Sequence, residues 1–177
     1  MGRFTVLLMI AMILGGCSTY AIDRYAISAD SVIVLRSYKD QKINVGEFTS
    51  TIPGLNHIDC RAVGPIKTPD GEPFSDFIRD ALIDELQIAE AYSMDAPVTL
   101  TGILDHIDFS SAEGVWDIQL TVKSTNGQDL SISENYKYTT SWYGETACNQ
   151  TAQAMMPAIQ NLIQSLVTNP KFPDLIM

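Results

Sequence analysis

The segments that decide the fold are GVWDIQLTVKS at residues 114–124 and LSISENYKYTTSWY at residues 130–143. Apolar and polar residues alternate along both, which is typical of a β-strand with one buried face. Asn126-Gly127 lies between them and predicts a hairpin turn, because both positions tolerate a positive φ. The predicted inward-facing residues are Trp116, Ile118, Leu120 and Val122 on the first strand and Leu130, Ile132, Tyr136, Tyr138 and Trp142 on the second.

Two further strands are predicted on the N-terminal side of this hairpin. PVTLTGILDHIDFSS at 97–111 completes a three-stranded antiparallel meander, and KINVGEFTS at 42–50 supplies at least one N-terminal strand. The apolar phase of the longer segment changes between Gly102 and Asp105, which predicts a bulge or a bend. Residues 51–73 are rich in Pro and Gly and are expected to form a long irregular connection.

Two helices are predicted from apolar residues that recur every three or four positions. One covers residues 74–92 and the other covers 145–168, with Cys148 on the apolar stripe of the second. SADSVIVLRSY at 28–38 fits either a short helix capped by Ser28 or a strand. The predicted fold class is therefore α+β, an antiparallel sheet with two helices packed on one face.

The N-terminal residues predict export. Arg3 precedes an apolar run from Phe4 to Leu14, which is shorter than the roughly 20 residues that span a bilayer. LGGC at 14–17 then resembles the lipobox of bacterial lipoproteins. The resemblance implies that residues 1–16 are a signal peptide that is removed. It also implies that Cys17 carries a diacylglyceryl group and further acyl chains such as palmitate.

The lipobox resemblance also implies a location and a domain plan. Ser18 stands where an Asp often retains family members in the inner membrane, so we expect an outer-membrane anchor facing the periplasm. Residues 17–29 are predicted to be the lipidated cysteine and a tether, and 30–177 a single α+β domain. Ten extended residues of such a tether would reach roughly 33–36 Å.

The charge distribution argues against nucleic acid as a partner. The net charge is −10, and the eleven Lys and Arg residues are scattered singly. Affinity for nucleic acid depends largely on cations that neutralise phosphates, and this chain offers no basic patch. Binding to anionic lipids through a cluster of basic residues is equally unsupported.

Two cysteines remain after Cys17. An exported protein in an oxidising compartment most simply pairs Cys60 with Cys148, and two buried free thiols are the alternative. The disulfide would stabilise the fold by up to roughly 4–5 kcal/mol in the chain-entropy model.

The sequence offers little for catalysis. His57 and His106 are its two histidines, and the second lies in DHID at 105–108. On a regular strand Asp105 and His106 would point to opposite faces, while His106 and Asp108 would share one. Structural and catalytic zinc sites need three or four ligands, and no spacing here supplies them. We therefore expect a protein that is not an enzyme and has no cofactor and no metal.

Two groups of residues are candidates for recognition. Asp76, Asp80 and Asp84 lie on the polar side of the helix at 74–92, either as a solvated face or as a docking surface for a basic partner. Trp116, Tyr136, Tyr138 and Trp142 either pack in the core or line a groove for an acyl chain, a glycan or a segment of a partner.

The body of the sequence resembles known lipoproteins in three stretches: FSDFIRDAL from residue 74, LTG at 100–102 and the VKSTNG hairpin. These are similar to an uncharacterised proteobacterial lipoprotein family. The element order with the lipobox also resembles YajG-type lipoproteins and the auxiliary lipoproteins of ABC-type lipid-transport systems. The resemblance implies a membrane-anchored accessory or assembly subunit with an envelope protein partner. The alternative is a lipid- or glycan-binding module that uses a groove beside the aromatic strands.

Overall fold

The structure of the protein is a computed structural model that describes residues 20–177. The predicted signal peptide, Cys17 and Ser18 lie outside the described residues. A short 3-10 turn at Arg36–Tyr38 follows the first helix. The elements in chain order are β1 (Tyr20–Ala21), α1 (Ala29–Leu35), β2 (Ile43–Ser50), β3 (His57–Cys60), β4 (Gly64–Lys67), α2 (Phe74–Ile88), β5 (Val98–Ser110), β6 (Val115–Ser124), β7 (Asp129–Lys137), α3 (Gly144–Val167) and α4 (Phe172–Ile176).

The larger sheet has four strands in the order β2-β5-β6-β7. Strands β5, β6 and β7 form the predicted antiparallel meander, and β2 is the predicted N-terminal strand, added parallel to β5. In the β6–β7 hairpin Trp116 lies opposite Tyr136. The turn forms at Asn126-Gly127, where Gly127 has a φ of 90°. The predicted α+β fold and its hairpin are confirmed.

The irregularity predicted near Gly102 to Asp105 is a β-bulge. The register between β5 and β6 shifts between Leu104 and His106, so Asp105 is the extra residue. A second shift in β2 falls between Val45 and Phe48, and the Phe48 ring lies across Gly102. A Cβ at Gly102 would meet that ring at 2.6 Å, so the absence of a side chain permits this packing.

The two long helices, α2 and α3, pack on one face of the larger sheet, and α1 contacts both of them. Trp116 is completely buried at their interface, with the Phe74 ring 6.5 Å away in an edge-on orientation. Its Nε1 donates a hydrogen bond of 2.9 Å to the carbonyl oxygen of Thr151, which satisfies the indole inside the core. Within residues 20–177, no helix has both the length and the apolar character required to cross a bilayer.

A second, three-stranded sheet in the order β1-β4-β3 was not predicted. Its strands have two, four and four residues, and two of them lie in the segment expected to be irregular. Strands this short produce no detectable alternation, and Pro65 within β4 argued further against a strand. The pairing therefore depends on contacts between residues far apart in the sequence.

The segment predicted as a tether differs from that prediction. From Tyr20 onward it belongs to the body: Tyr20 pairs with Ile66, and the backbone N–H of Ile22 donates to the carbonyl of Lys67 at 2.8 Å. Ile22 is buried, because its side chain joins the core. Ser28 then caps α1, its side chain accepting a hydrogen bond from the backbone N–H of Ser31.

Candidate functional site

The disulfide between Cys60 and Cys148 is confirmed, with an S–S distance of 2.10 Å. Both cysteines are completely buried. The bond joins the end of β3 to the first turns of α3, and so connects the small sheet to the helix layer.

The two histidines lie beside the same surface pocket of about 310 Å³. The pocket is lined in part by His57, Asp105, His106 and Asp108. The prediction that Asp105 and His106 point to opposite faces was wrong, because the bulge places both side chains in solvent. The pocket thus gathers polar groups from β3 and β5 that are distant in the sequence.

The hydrogen bonds around this pocket are those of a polar surface. Asp105 accepts a hydrogen bond of 2.7 Å from the Thr121 hydroxyl, and Nδ1 of His57 lies 2.9 Å from Oδ1 of its neighbour Asn56. Among residues 20–177, no three His, Cys, Asp or Glu side chains are arranged to hold a metal ion.

A group of carboxylates forms what we call the acidic surface, comprising Asp70, Glu72, Asp76, Asp80 and Asp84. Asp80 and Asp84 are exposed on α2, whereas Asp76 is half-buried in its first turn. Two arginines are paired within it: Arg24 binds Asp70 through two hydrogen bonds of 2.7 and 2.8 Å, and Arg79 binds Asp80 at 2.7 Å. Five carboxylates against two guanidinium groups leave the surface negative.

Burial, and after it neighbouring negative charges, raise the pKa of two carboxyl groups in the acidic surface. Partial burial raises the pKa of Asp84, and the negative charge of Asp80 raises it further. The pKa of Glu72 is also raised, first by burial and then by Asp80, Asp70 and Asp76, in that order. Neighbouring negative charges therefore make ionisation of these two carboxyl groups less favourable. A cation at this surface would reduce that free-energy cost.

Glu85 is a buried carboxylate that the sequence analysis missed. It lies on α2 next to Asp84 but faces the protein, where Oε1 accepts hydrogen bonds from the Tyr25 hydroxyl at 2.6 Å and from the Ser28 backbone N–H at 2.7 Å. Oε2 is buried and has no hydrogen-bond partner among residues 20–177. Burial raises the pKa of Glu85, and these two hydrogen bonds offset part of that shift. Glu85 thereby holds the N-terminal segment against α2.

The four aromatic residues proposed as a groove do not come together in one. Trp116 is a core residue, and the hydroxyl of Tyr138 forms a hydrogen bond of 2.7 Å with that of Thr151. Tyr136 packs partly buried against the core, while Trp142 is 98% exposed. They separate because the inward alternation ends where β7 ends at Lys137, and the chain beyond it follows another path.

Arg61 is a second residue that the sequence analysis missed. Its φ is 51°, and its guanidinium donates hydrogen bonds to the hydroxyl and carbonyl oxygens of Ser111 and to the carbonyls of Ser141 and Trp142. These contacts fasten the segment between β7 and α3 onto the β5–β6 turn. A single arginine in an apparently irregular loop gave no sequence signal of this role.

Comparison with known proteins adds one result, and it concerns the fold. No protein-family model and no curated protein matches the chain. Among solved structures, the crystal structure of protein XCC0632 from Xanthomonas campestris, described as a member of the DUF330 family, is similar to it with a TM-score of 0.54. The similarity covers 85% of this chain and 95% of that chain at 11% sequence identity.

A match at this identity shows a shared fold. It is consistent with the expected similarity to an uncharacterised proteobacterial family. It does not address the lipobox or the YajG-type resemblance.

Proposed function

We propose that this protein is a lipid-anchored lipoprotein of the bacterial outer membrane, facing the periplasm as a non-enzymatic accessory or assembly subunit. Two observations support export and anchoring. The LGGC motif follows an apolar run of signal-peptide length. The Cys60–Cys148 disulfide is of the kind that forms in an oxidising compartment. Cys17 is the proposed site of lipidation.

The acidic surface is the observation that supports a protein partner. Asp80 and Asp84 are four residues apart on α2, and like charges at this spacing destabilise a helix. The pKa values of Glu72 and Asp84 are raised first by burial and then by neighbouring carboxylates, with Asp80 contributing in both cases. A basic segment of an envelope protein would relieve this repulsion, since opposite charges steer association and fix its register.

The surroundings of the pocket that His57 and His106 line support a non-enzymatic role. His57 and His106 are both exposed, and Asp105 is hydrogen-bonded to a threonine of the neighbouring strand. A catalytic base is normally oriented by a third group and lies within reach of a nucleophile. The nearest partner of the His57 ring is the amide of Asn56.

The decisive experiment is affinity purification of the acylated protein from detergent-solubilised membranes, with mass spectrometry of proteins and lipids. We expect a stoichiometric protein partner that is lost in the charge-reversal variant Asp80→Lys/Asp84→Lys. Asp40→Lys/Asp95→Lys is the matched control, because both residues are exposed and lie outside the acidic surface. Equal loss of the partner in both variants would exclude a specific role for α2.

The alternative, a lipid- or glycan-binding module, has one favourable observation. Trp142 lines a surface pocket of about 330 Å³ together with Arg61, Ala112, Thr140 and Ser141. The sheet–helix interface does not support it, since Trp116 and Met155 are completely buried there. A lipid or glycan that co-purifies without any protein would establish this alternative in place of the accessory role.

A further inference from the structure

Trp142 and Tyr143 form an exposed aromatic pair immediately before α3. Trp142 is 98% exposed and Tyr143 is 80% exposed. Ala112, which lines a pocket with Trp142, is exposed as well. Adjacent large aromatic side chains that are exposed to solvent are typical of a contact surface.

The backbone that carries the pair is held firmly. The Arg61 guanidinium binds the carbonyls of Ser141 and Trp142 at 3.4 and 3.1 Å, and the carbonyl of Tyr143 accepts the first α3 hydrogen bond from Ala147. The disulfide fixes Cys60, the residue before Arg61, to α3. These contacts therefore hold the backbone of the aromatic pair in place. The exposure of the two rings is not due to a weakly held loop.

The N-terminal end of the described chain lies at the same end of the molecule. Strand β1 runs parallel to β4, with Tyr20 opposite Ile66, so the chain enters the small sheet from the end that carries Gly64. Val63 precedes Gly64 and lies against Gly144, the residue that follows Tyr143: a Cβ on Gly144 would be 2.8 Å from a Val63 methyl. The chain thus enters the small sheet from the end that is nearer to the turn against which Gly144 packs.

The chain that precedes Tyr20 is short if Cys17 is the anchor. Three peptide steps separate the two residues, which limits their Cα separation to about 11 Å. The headgroup layer on each side of a bilayer is itself roughly 5–8 Å thick. A lipid on Cys17 therefore holds this end of the protein at the membrane surface.

The acidic surface lies toward the opposite end of the small sheet. From Tyr20 the chain runs beside β4 away from Gly64, and Arg24 reaches Asp70 beyond the Lys67 end. An arrangement with the aromatic pair at the membrane therefore keeps the acidic surface away from lipid phosphates. The same arrangement leaves the acidic surface free for a partner.

We propose that Trp142 and Tyr143 insert into the interfacial layer of the membrane that holds the Cys17 acyl chains, and so set the orientation of the protein. Indole and phenol rings suit this layer, because one part of each ring is apolar and the other forms hydrogen bonds with water and headgroups. The inference rests on the proposed anchor at Cys17. It makes Arg61 a positioning residue for the membrane contact.

The test uses the acylated protein in vesicles of phosphatidylethanolamine and phosphatidylglycerol, with and without brominated acyl chains. The chain has two tryptophans, and Trp116 is completely buried, so the difference between wild type and Trp142→Phe isolates the Trp142 emission. We expect a blue shift of this emission in vesicles and its loss in the presence of brominated lipid.

A matched control moves the tryptophan elsewhere, in the double variant Trp142→Phe/Met94→Trp. Met94 is 77% exposed and precedes β5, whereas Ser111, to which Arg61 binds, follows it. The thirteen residues of β5 separate these two ends by roughly 40 Å at the usual rise of a strand. We expect no brominated-lipid quenching at position 94, and equal quenching at both positions would overturn the proposed orientation.

The outcomes separate this inference from the proposed function. If the mass of the N-terminal peptide shows an unmodified Cys17, the anchor fails and this inference fails with it. If Cys17 is acylated and the vesicles retain the protein, but Trp142 stays unquenched by lipid, this inference alone is overturned. Protection of Trp142 in native membranes would then assign the aromatic pair to a protein contact.

Discussion

The hydroxyl of Tyr25 donates a hydrogen bond of 2.6 Å to Glu85, a carboxylate on α2 that the fold buries completely. The contact spans 60 positions in the sequence and joins the N-terminal segment to the helix layer. Burial and the adjacent carboxylate raise the pKa of Tyr25 far above its usual range, so Tyr25 remains a donor at every physiological pH. The hydrogen bonds that Glu85 accepts therefore make the packing of the N-terminal segment depend on pH.

We predict that Glu85 makes folding less favourable as pH rises. Because its pKa is raised above the ordinary value of 4.5, the folded state binds the proton more tightly than the unfolded state. The free energy of unfolding should fall between pH 4.5 and the raised pKa, and Glu85→Gln should remove this contribution. Urea unfolding at a series of pH values measures it. A wild-type-minus-variant difference that is the same from pH 4.5 to pH 7 would contradict the prediction.

We predict that Gly102→Ala is destabilising because of Phe48. The new Cβ would lie 2.6 Å from the ring, and forcing an extra methyl into a packed site costs about 1–3 kcal/mol. In the Phe48→Leu background the cost should be smaller, since the two sites are in direct contact. Chemical denaturation of the four proteins in this cycle measures the coupling. Additive effects would show that the ring does not limit position 102.

We predict that loss of the disulfide is strongly destabilising. Cys60 and Cys148 are 88 residues apart, and closing a loop of that size is worth roughly 4–5 kcal/mol in the chain-entropy model. Cys60→Ala/Cys148→Ala should therefore unfold at a much lower urea concentration. The wild type in reducing agent should approach the same midpoint. A double variant as stable as the oxidised wild type would refute this role of the bond.

We predict that Arg61→Lys loosens the aromatic pair. A lysine has a single donor group on a flexible stem and does not reproduce the guanidinium contacts to Ser111, Ser141 and Trp142. The rotational anisotropy of the Trp142 emission in solution should fall. Lys137→Arg is the conservative control, because this exposed residue at the end of β7 makes no such contacts with the described part of the chain. Unchanged anisotropy in Arg61→Lys would mean that other contacts hold the segment.

The parts of the fold with a local period were predictable. Alternation along β5, β6 and β7 and the apolar stripes of α2 and α3 arise from the geometry of each element by itself. The bulge was also visible, because an extra residue at Asp105 shifts the phase of the apolar pattern. The candidate site was less predictable. Asp80 and Asp84 were found from their helical spacing, whereas the burial of Glu85 depends on Tyr25 and Ser28, which contact it only in the folded chain.

The sequence by itself determined the α+β class, the meander and both long helices, because each follows from a local pattern. It favoured the pairing of Cys60 with Cys148, because the expected export leaves two cysteines to pair. Only the tertiary structure decided the small β1-β4-β3 sheet, the burial of Glu85 and the exposure of Trp142 on a segment held by Arg61. These features join residues that are dozens of positions apart through single hydrogen bonds and two- to four-residue pairings. Such contacts leave no periodic trace in a sequence, since their energy comes from chain segments that meet only in the folded state.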